Sequence, residues 1–251
     1  MVYKVRMGVV GSVGTIGRRH VQEITELDST DLVGVQDVNQ AKANLQANEL
    51  GIKQYKNLED LLDDSKIDAI SIATPHPSHH RIALKAFQAR KHVLSEKPIS
   101  QSPSLAKEMV ESAEAAGVVL GVVFQNRLRP ELVWMKEMVQ KGAIGRIYRT
   151  SLVCHHYRAQ GYYNSAPWRG TWLGEGGGVL MNQAPHALDI FQWLGGMPSA
   201  VQGTVANLIH DIEVEDSATA VVEYVDGGMG LIHCDTVQAP TLNKLEMWGD
   251  K

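Results

Sequence analysis

The sequence predicts a doubly wound α/β domain followed by an α+β domain with a large, open, mainly antiparallel sheet. Three observations predict it: a glycine-rich loop between a strand pattern and a helix pattern near the N-terminus; apolar strands alternating with helices up to residue 124; and strand patterns in succession after Gly145.

In chain order, Tyr3 to Val10 reads as a short apolar strand, and a helix runs from about Ile16 to Leu27. Leu32 to Gln36 is a second strand ending at Asp37, and Asn39 is placed to cap a helix running toward Leu50. Asp60, Leu61 and Leu62 sit in a short helix. Asp68 to Ala73 is a buried-type strand, Ser78 is expected to cap a helix to Ala89, and His92 to Ser95 is another strand. Ser102 to Ala116 reads as a helix and Val118 to Val123 as a strand. Strands and helices alternating at these lengths give a parallel sheet covered on both faces. Beyond Gly145, Ile147 to Tyr157 is β-like, and Gly176 to Gly178 leads into a helix from about Val179 to Leu194. Strands are expected at Ala200 to Leu208, Ser217 to Tyr224 and Met229 to Val237, the last two joined by an Asp226-Gly227-Gly228 hairpin turn. The chain stops in a strand-like stretch, Leu245 to Lys251.

Composition narrows the chemistry. The 251 residues are 44% hydrophobic and 21% charged, as in ordinary globular proteins, with a net charge of −4. The longest basic cluster is Arg18-Arg19-His20, which gives no footprint for nucleic acid or an anionic membrane. The apolar run from Val118 to Phe124 is too short to span a bilayer. A cytoplasmic protein working on small molecules is expected. Cys154 and Cys234 lack Cys-x-x-Cys spacing and imply neither a disulfide framework nor structural zinc.

The segment Gly11-Ser-Val-Gly-Thr-Ile-Gly17 follows a strand and opens a helix. Glycines there let backbone N–H groups, including those of Val13, Gly14, Thr15 and Ile16, approach a pyrophosphate at the helix's positive end. The spacing is one residue longer than Gly-x-Gly-x-x-Gly. Asp37, at the end of the next strand, is placed to accept the ribose hydroxyls of a dinucleotide. A carboxylate there repels a 2′-phosphate, so NAD is expected, with NADP as the alternative if the charges of Arg18 and Arg19 offset that repulsion.

Three further segments follow in order: Ala73-Thr-Pro-His-Pro-Ser-His79, Ser95-Glu-Lys-Pro98, and Trp168-Arg169 followed by Gly176 to Asp189. With the glycine loop, they resemble the Gfo/Idh/MocA oxidoreductases, glucose-fructose oxidoreductase and inositol 2-dehydrogenase among them. The resemblance covers essentially the whole chain. It implies a Rossmann NAD(P)-binding domain (1–124) and a substrate-binding α+β domain (125–251), expected to be incomplete at its C-terminus. A homo-oligomer through the C-terminal sheet is implied as well. By position, Lys97 matches the family's catalytic lysine and His186 its catalytic histidine; Asn182 stands where aspartate is frequent and His76 where asparagine is common. Thr74, Pro75, His76, His79, Glu96, Lys97, Gln125, Trp168 and Arg169 fall on the cofactor side of the site.

The implied reaction moves a hydride between nicotinamide and a secondary hydroxyl or ketone of a sugar, sugar derivative or cyclitol. Histidine titrates near neutrality, whereas an ammonium must be shifted far to act as a base, so His186 is expected as acid/base, Lys97 as the group that polarises the reacting oxygen, and Asn182 as the catalytic-site amide that orients the His186 ring. Asn182, His186 and Asp189 at i, i+4 and i+7 share one face if the helix is continuous. No metal site is expected: the His76, His79, His80 cluster straddles Pro77 and a helix start. Of His155 and His156, consecutive in a strand, at most one reaches substrate. Tyr162, Tyr163 and Asn164 are further substrate-loop candidates. A cofactor-binding sensor that lost catalysis and a reductase of amino-acid biosynthesis are the rival readings. The pairing of Lys97 with His186 speaks against the first, and Glu96-Lys97-Pro98 with the His186 helix against the second.

Overall fold

The computed structural model describes residues 3–251; residues 1 and 2, which the N-terminal domain assignment included, lie outside the described residues. The chain divides into two compact units, residues 1–123 and 124–251.

The first unit contains β1 (Val5–Val10), α1 (Thr15–Glu26), β2 (Thr30–Gln36), α2 (Gln40–Leu50), β3 (Lys53–Tyr55), α3 (Leu58–Leu62), β4 (Ala69–Ile72), α4 (His79–Gln88), β5 (His92–Ser95), α5 (Pro103–Ala116) and β6 (Leu120–Val122). Its strands form one parallel sheet in the order β3-β2-β1-β4-β5-β6. Period-two alternation divides β1 between two apolar layers. Val10 packs with Ile70, Ile72 and Phe87, while Met7 and Val9 pack with Val21, Ile24 and Val35. Two helix starts follow the local chemistry: the side chains of Asn39 and Asn57 accept from the backbone N–H groups of Lys42 and Asp60. Ser78 does not cap α4. Its hydroxyl donates instead to Thr74 Oγ1 (2.6 Å) and Pro75 O, and a 3-10 turn, His76–Ser78, precedes the helix. β3 carries no apolar strand pattern, because Lys-Gln-Tyr at a sheet edge buries only Tyr55.

The second unit contains α6 (Pro130–Gln140), β7 (Ile147–His155), α7 (Gln160–Tyr163), α8 (Trp172–Glu175), α9 (Pro185–Gly195), β8 (Ala200–Ala206), β9 (Ser217–Glu223), β10 (Met229–Asp235) and β11 (Leu242–Gly249). The sheet order is β11-β7-β10-β9-β8, with β7 and β10 parallel and every other pair antiparallel. Leu152, Cys154, Ala218, Val222 and Cys234 face Phe191 of α9 in one buried cluster. The expected single helix from Val179 is two elements: a π-helical turn, Val179–Gln183, and then α9. Proline at position 185 has no N–H to continue the ladder and suits a helix start. The helix α6, which opens on Pro130, has no counterpart in the sequence reading. Neither cysteine is in a disulfide. No helix among the described residues is long and apolar enough to cross a membrane.

Candidate functional site

In the first unit the strand order reverses between β1 and β4, so the loops after these two strands flank the crevice at the carboxyl edge of the sheet. Gly11 has φ +83°, and a Cβ there would meet Ala73 O and the Thr74 methyl at 2.8 Å. A Cβ on Gly17 would lie 1.9 Å from Gly11 O. Gly14 is the N-cap of α1 with no side-chain cap, so the first N–H groups of the helix are left for a ligand. Among the described residues the buried Ser12 Oγ meets no hydrogen-bond partner. The extra loop residue has a structural reason: Val13 N donates to Asp37 Oδ2 (3.1 Å), closing the loop onto the acid at the end of β2. Asn39 N holds the other oxygen at 2.8 Å. Each carboxylate oxygen keeps acceptor capacity for a hydroxyl.

Glu96, Lys97 and Pro98 follow β5, and the Lys97–Pro98 peptide is cis. His20, on the second turn of α1, reaches Ser71 Oγ at 2.6 Å and Glu96 Oε1 at 3.0 Å, while Glu96 Oε2 accepts from Lys97 N. Burial pushes the Glu96 carboxyl up, but the bonds from His20 and from the Lys97 backbone outweigh it and hold it below the usual range. His79 is fully buried and joins the carbonyls of Thr74 (2.8 Å) and Pro98 (2.9 Å), tying together the loops after β4 and β5. His80 bonds Glu108, so these two histidines serve structure. The His76 ring is also buried, 6.0 Å from that of His79.

In the second unit His186 lies in the first turn of α9, its ring edge-on to Phe124. It opens on a cavity of about 370 Å³ that is also lined by Gln183, His156, Asn126, Arg129 and Lys244. His156 lines the cavity and His155 does not, as alternation requires. Two buried carboxylates that drew no notice in the sequence shape the approach to α9. Glu215 accepts from Gly178 N (2.8 Å) and Leu180 N (3.1 Å), and a Cβ on Gly178 would lie 1.7 Å from Glu215 O. Glu175 accepts from Gly170 N and from Asn182 Nδ2. Asn182 belongs to the π turn, off the register of α9, and also donates to Tyr162 OH. Asp189 does not serve the pocket face; Arg127 binds it through two nitrogens, at 2.8 and 2.5 Å.

Tyr162 is a hub. Its hydroxyl accepts from Arg169 and Gln183, and the guanidinium groups of Arg158 and Arg169 lie over its ring at 4.8 and 4.2 Å. Arg169 also stacks on Trp168. Tyr163 is buried and bonds Thr236, so it is a core residue, and Asn164 caps α7 while bonding Gln160. Gln125 begins a 3-10 turn ahead of α6. The two glutamates left no sequence signal, because their partners lie far along the chain or on irregular backbone.

A switch-point crevice with a bare helix N-terminus and an acid after β2 defines a dinucleotide-binding protein. Comparison with known proteins carries this further. Residues 5–124 match the model of the oxidoreductase family with the NAD-binding Rossmann fold, and residues 132–251 match the GFO/IDH/MocA C-terminal domain. The chain therefore belongs to the GFO/IDH/MocA family of NAD-dependent oxidoreductases. It is 25% identical over 233 residues to myo-inositol 2-dehydrogenase of Thermotoga maritima, covering 90% of this chain and 67% of that protein. It is 35% identical to the WlbA dehydrogenase of Bordetella pertussis, solved with NADH and UDP-GlcNAcA, with a TM-score of 0.93 over 99% of this chain and 72% of that one. The Chromobacterium violaceum WlbA dehydrogenase, with the same two ligands, is 32% identical at a TM-score of 0.93 over the same shares.

Proposed function

We propose that this chain catalyses NAD(H)-dependent oxidation of a secondary hydroxyl on a sugar, sugar derivative or cyclitol, or the reverse reduction. The observation that carries the reading is His186, presented by the first turn of α9 to a cavity whose other polar groups, Gln183, His156, Asn126 and Lys244, suit a polyhydroxylated ligand. NAD+, when bound, supplies the hydride acceptor.

The glycine loop fits that cofactor. The N–H groups at the start of α1 hold the pyrophosphate, Asp37 accepts the ribose hydroxyls, and Gly11 and Gly17 keep the backbone path that side chains would block. Thr74, Pro75, His76, Glu96, Gln125, Trp168 and Arg169 are assigned to the nicotinamide side. His186 takes the hydroxyl proton, Lys97 hydrogen-bonds and polarises the reacting oxygen, and Asn182 positions the loop that leads into α9. An amino-sugar acid carried on a nucleotide is the first substrate to assay, because the WlbA relatives bind one. The setting is assigned as the cytoplasm, with copies joined through the second sheet at its edge strand β8, where Val201 and Val205 are exposed.

The test is NADH formation from UDP-GlcNAcA, cyclitols and aldoses, with NAD and NADP in parallel. Turnover of one class with NAD is expected. Tight NADH binding with no turnover of any of them would favour a sensor instead.

A further inference from the structure

His155, His233 and Asp235 lie away from the His186 cavity and have no part in the proposed reaction. β7 and β10 run parallel with Asp235 opposite His155, and His233 is two residues before Asp235. Period two therefore puts all three side chains on one face of the sheet. That face is opposite the one where Leu152, Cys154 and Cys234 pack with Phe191 of α9. Their donor atoms all lie within 4.8 Å of one another.

We propose that His155, His233 and Asp235 form a binding site for a divalent transition metal of the zinc type. Zinc holds nitrogen and oxygen donors at about 2.0–2.1 Å, so tetrahedral neighbours are about 3.4 Å apart. Asp235 Oδ2 is 3.0 Å from His233 Nε2 and 3.7 Å from His155 Nε2, on either side of that spacing. Two imidazoles and one carboxylate are a borderline donor set, suited to zinc, cobalt or nickel over calcium or magnesium.

The surroundings are built as a metal's outer shell is. Thr219 Oγ1 bonds His233 Nδ1 at 2.8 Å, and a hydroxyl accepts from that nitrogen equally well once Nε2 gives its lone pair to an ion. Asp235 Oδ1 is held by the N–H groups of Val237 (3.1 Å) and Gln238 (2.9 Å), leaving Oδ2 as the ligand atom. Gln238 Nε2 adds a bond to Oδ2 and is the group an arriving ion displaces. Charge points the same way. Asp235 is fully buried, and among the described residues its ion-pair partners are these two histidines. A countercharge stabilises a buried carboxylate, and a divalent ion supplies one. His155 and His233 are partly exposed, which gives the ion a way in and leaves a coordination position for water.

The experiment is titration of the metal-free full chain with Co2+, followed by its visible absorption, and then displacement by Zn2+. One ion per chain is expected, with the intense bands of four- or five-coordinate cobalt. His155→Gln and His233→Gln should each weaken binding by at least about 100-fold, and Thr219→Val by about 10- to 100-fold. His80→Gln should bind as the parent does. Circular dichroism and NADH affinity report that each variant is folded. No stoichiometric cobalt binding by the parent chain, or binding that survives both histidine replacements and Thr219→Val, would overturn the proposal.

Discussion

Gly14 and Gly17 stand three residues apart in one loop, and exchanging each for alanine separates folding from cofactor binding. A Cβ on Gly17 meets Gly11 O at 1.9 Å, more than an ångström inside the closest approach that Cβ atoms tolerate, and the atom it strikes is backbone. The loop must move. Overpacking of this kind costs about 1–3 kcal/mol. At roughly 4 °C per kcal/mol for a unit of this size, the unfolding midpoint falls by some 4–12 °C. Gly14 differs: its backbone is extended (φ −65°, ψ 166°), and the nearest atom to an added Cβ is Gly11 O at 4.0 Å. Gly14→Ala should therefore cost under about 1 kcal/mol, the difference between poor and middling N-cap residues. It nevertheless puts a methyl where the pyrophosphate must approach the N–H groups. NADH affinity should fall at least about tenfold, or 1.4 kcal/mol. Thermal unfolding and NADH fluorescence titration on both variants decide the matter. A Gly14→Ala chain that binds NADH like the parent would refute the cradle, and a Gly17→Ala chain with an unchanged midpoint would refute the packing argument.

Asp37→Asn should weaken NADH binding about tenfold and narrow the preference over NADPH, because it removes the charge that repels a 2′-phosphate; parallel titrations with both nucleotides measure it. His186→Ala should lower turnover by about 10²- to 10⁴-fold with NADH affinity intact, and an undiminished rate would remove His186 from the chemistry. Glu215→Ala leaves the N–H groups of Gly178 and Leu180 without their acceptor and should cost about 2–4 kcal/mol in denaturant unfolding. For acid stability, the Arg6 guanidinium holds the Asp68 carboxyl well below the usual range. Burial pushes Asp216 up, but three backbone N–H groups and His210 pull it down further. Both folded values lie below the unfolded value of about 3.9, so this stabilisation is complete above that pH and is lost as pH falls through the folded values. Asp68→Asn should make the chain less stable at neutral pH and flatten its acid limb in pH-dependent unfolding.

Local pattern along the chain specifies the alternating α/β unit, the mainly antiparallel second sheet, the glycine loop with its acid, and the residue types at Lys97 and His186. Those features rest on local periodicity, on turn chemistry and on motifs read along a few residues. Tertiary structure decided what depends on groups distant in the chain. Val13 bonds Asp37 across 24 positions, which accounts for the longer glycine loop. Asp189, in register with His186 along the helix, is bound by Arg127, 62 residues away. Glu215 sets the π turn that takes Asn182 off the face of α9. Strand register likewise brings His155 beside Asp235, 80 residues apart in the sequence. Spacing along one element predicts which side chains share a face, but only the packing of other elements decides which polar partner each one meets.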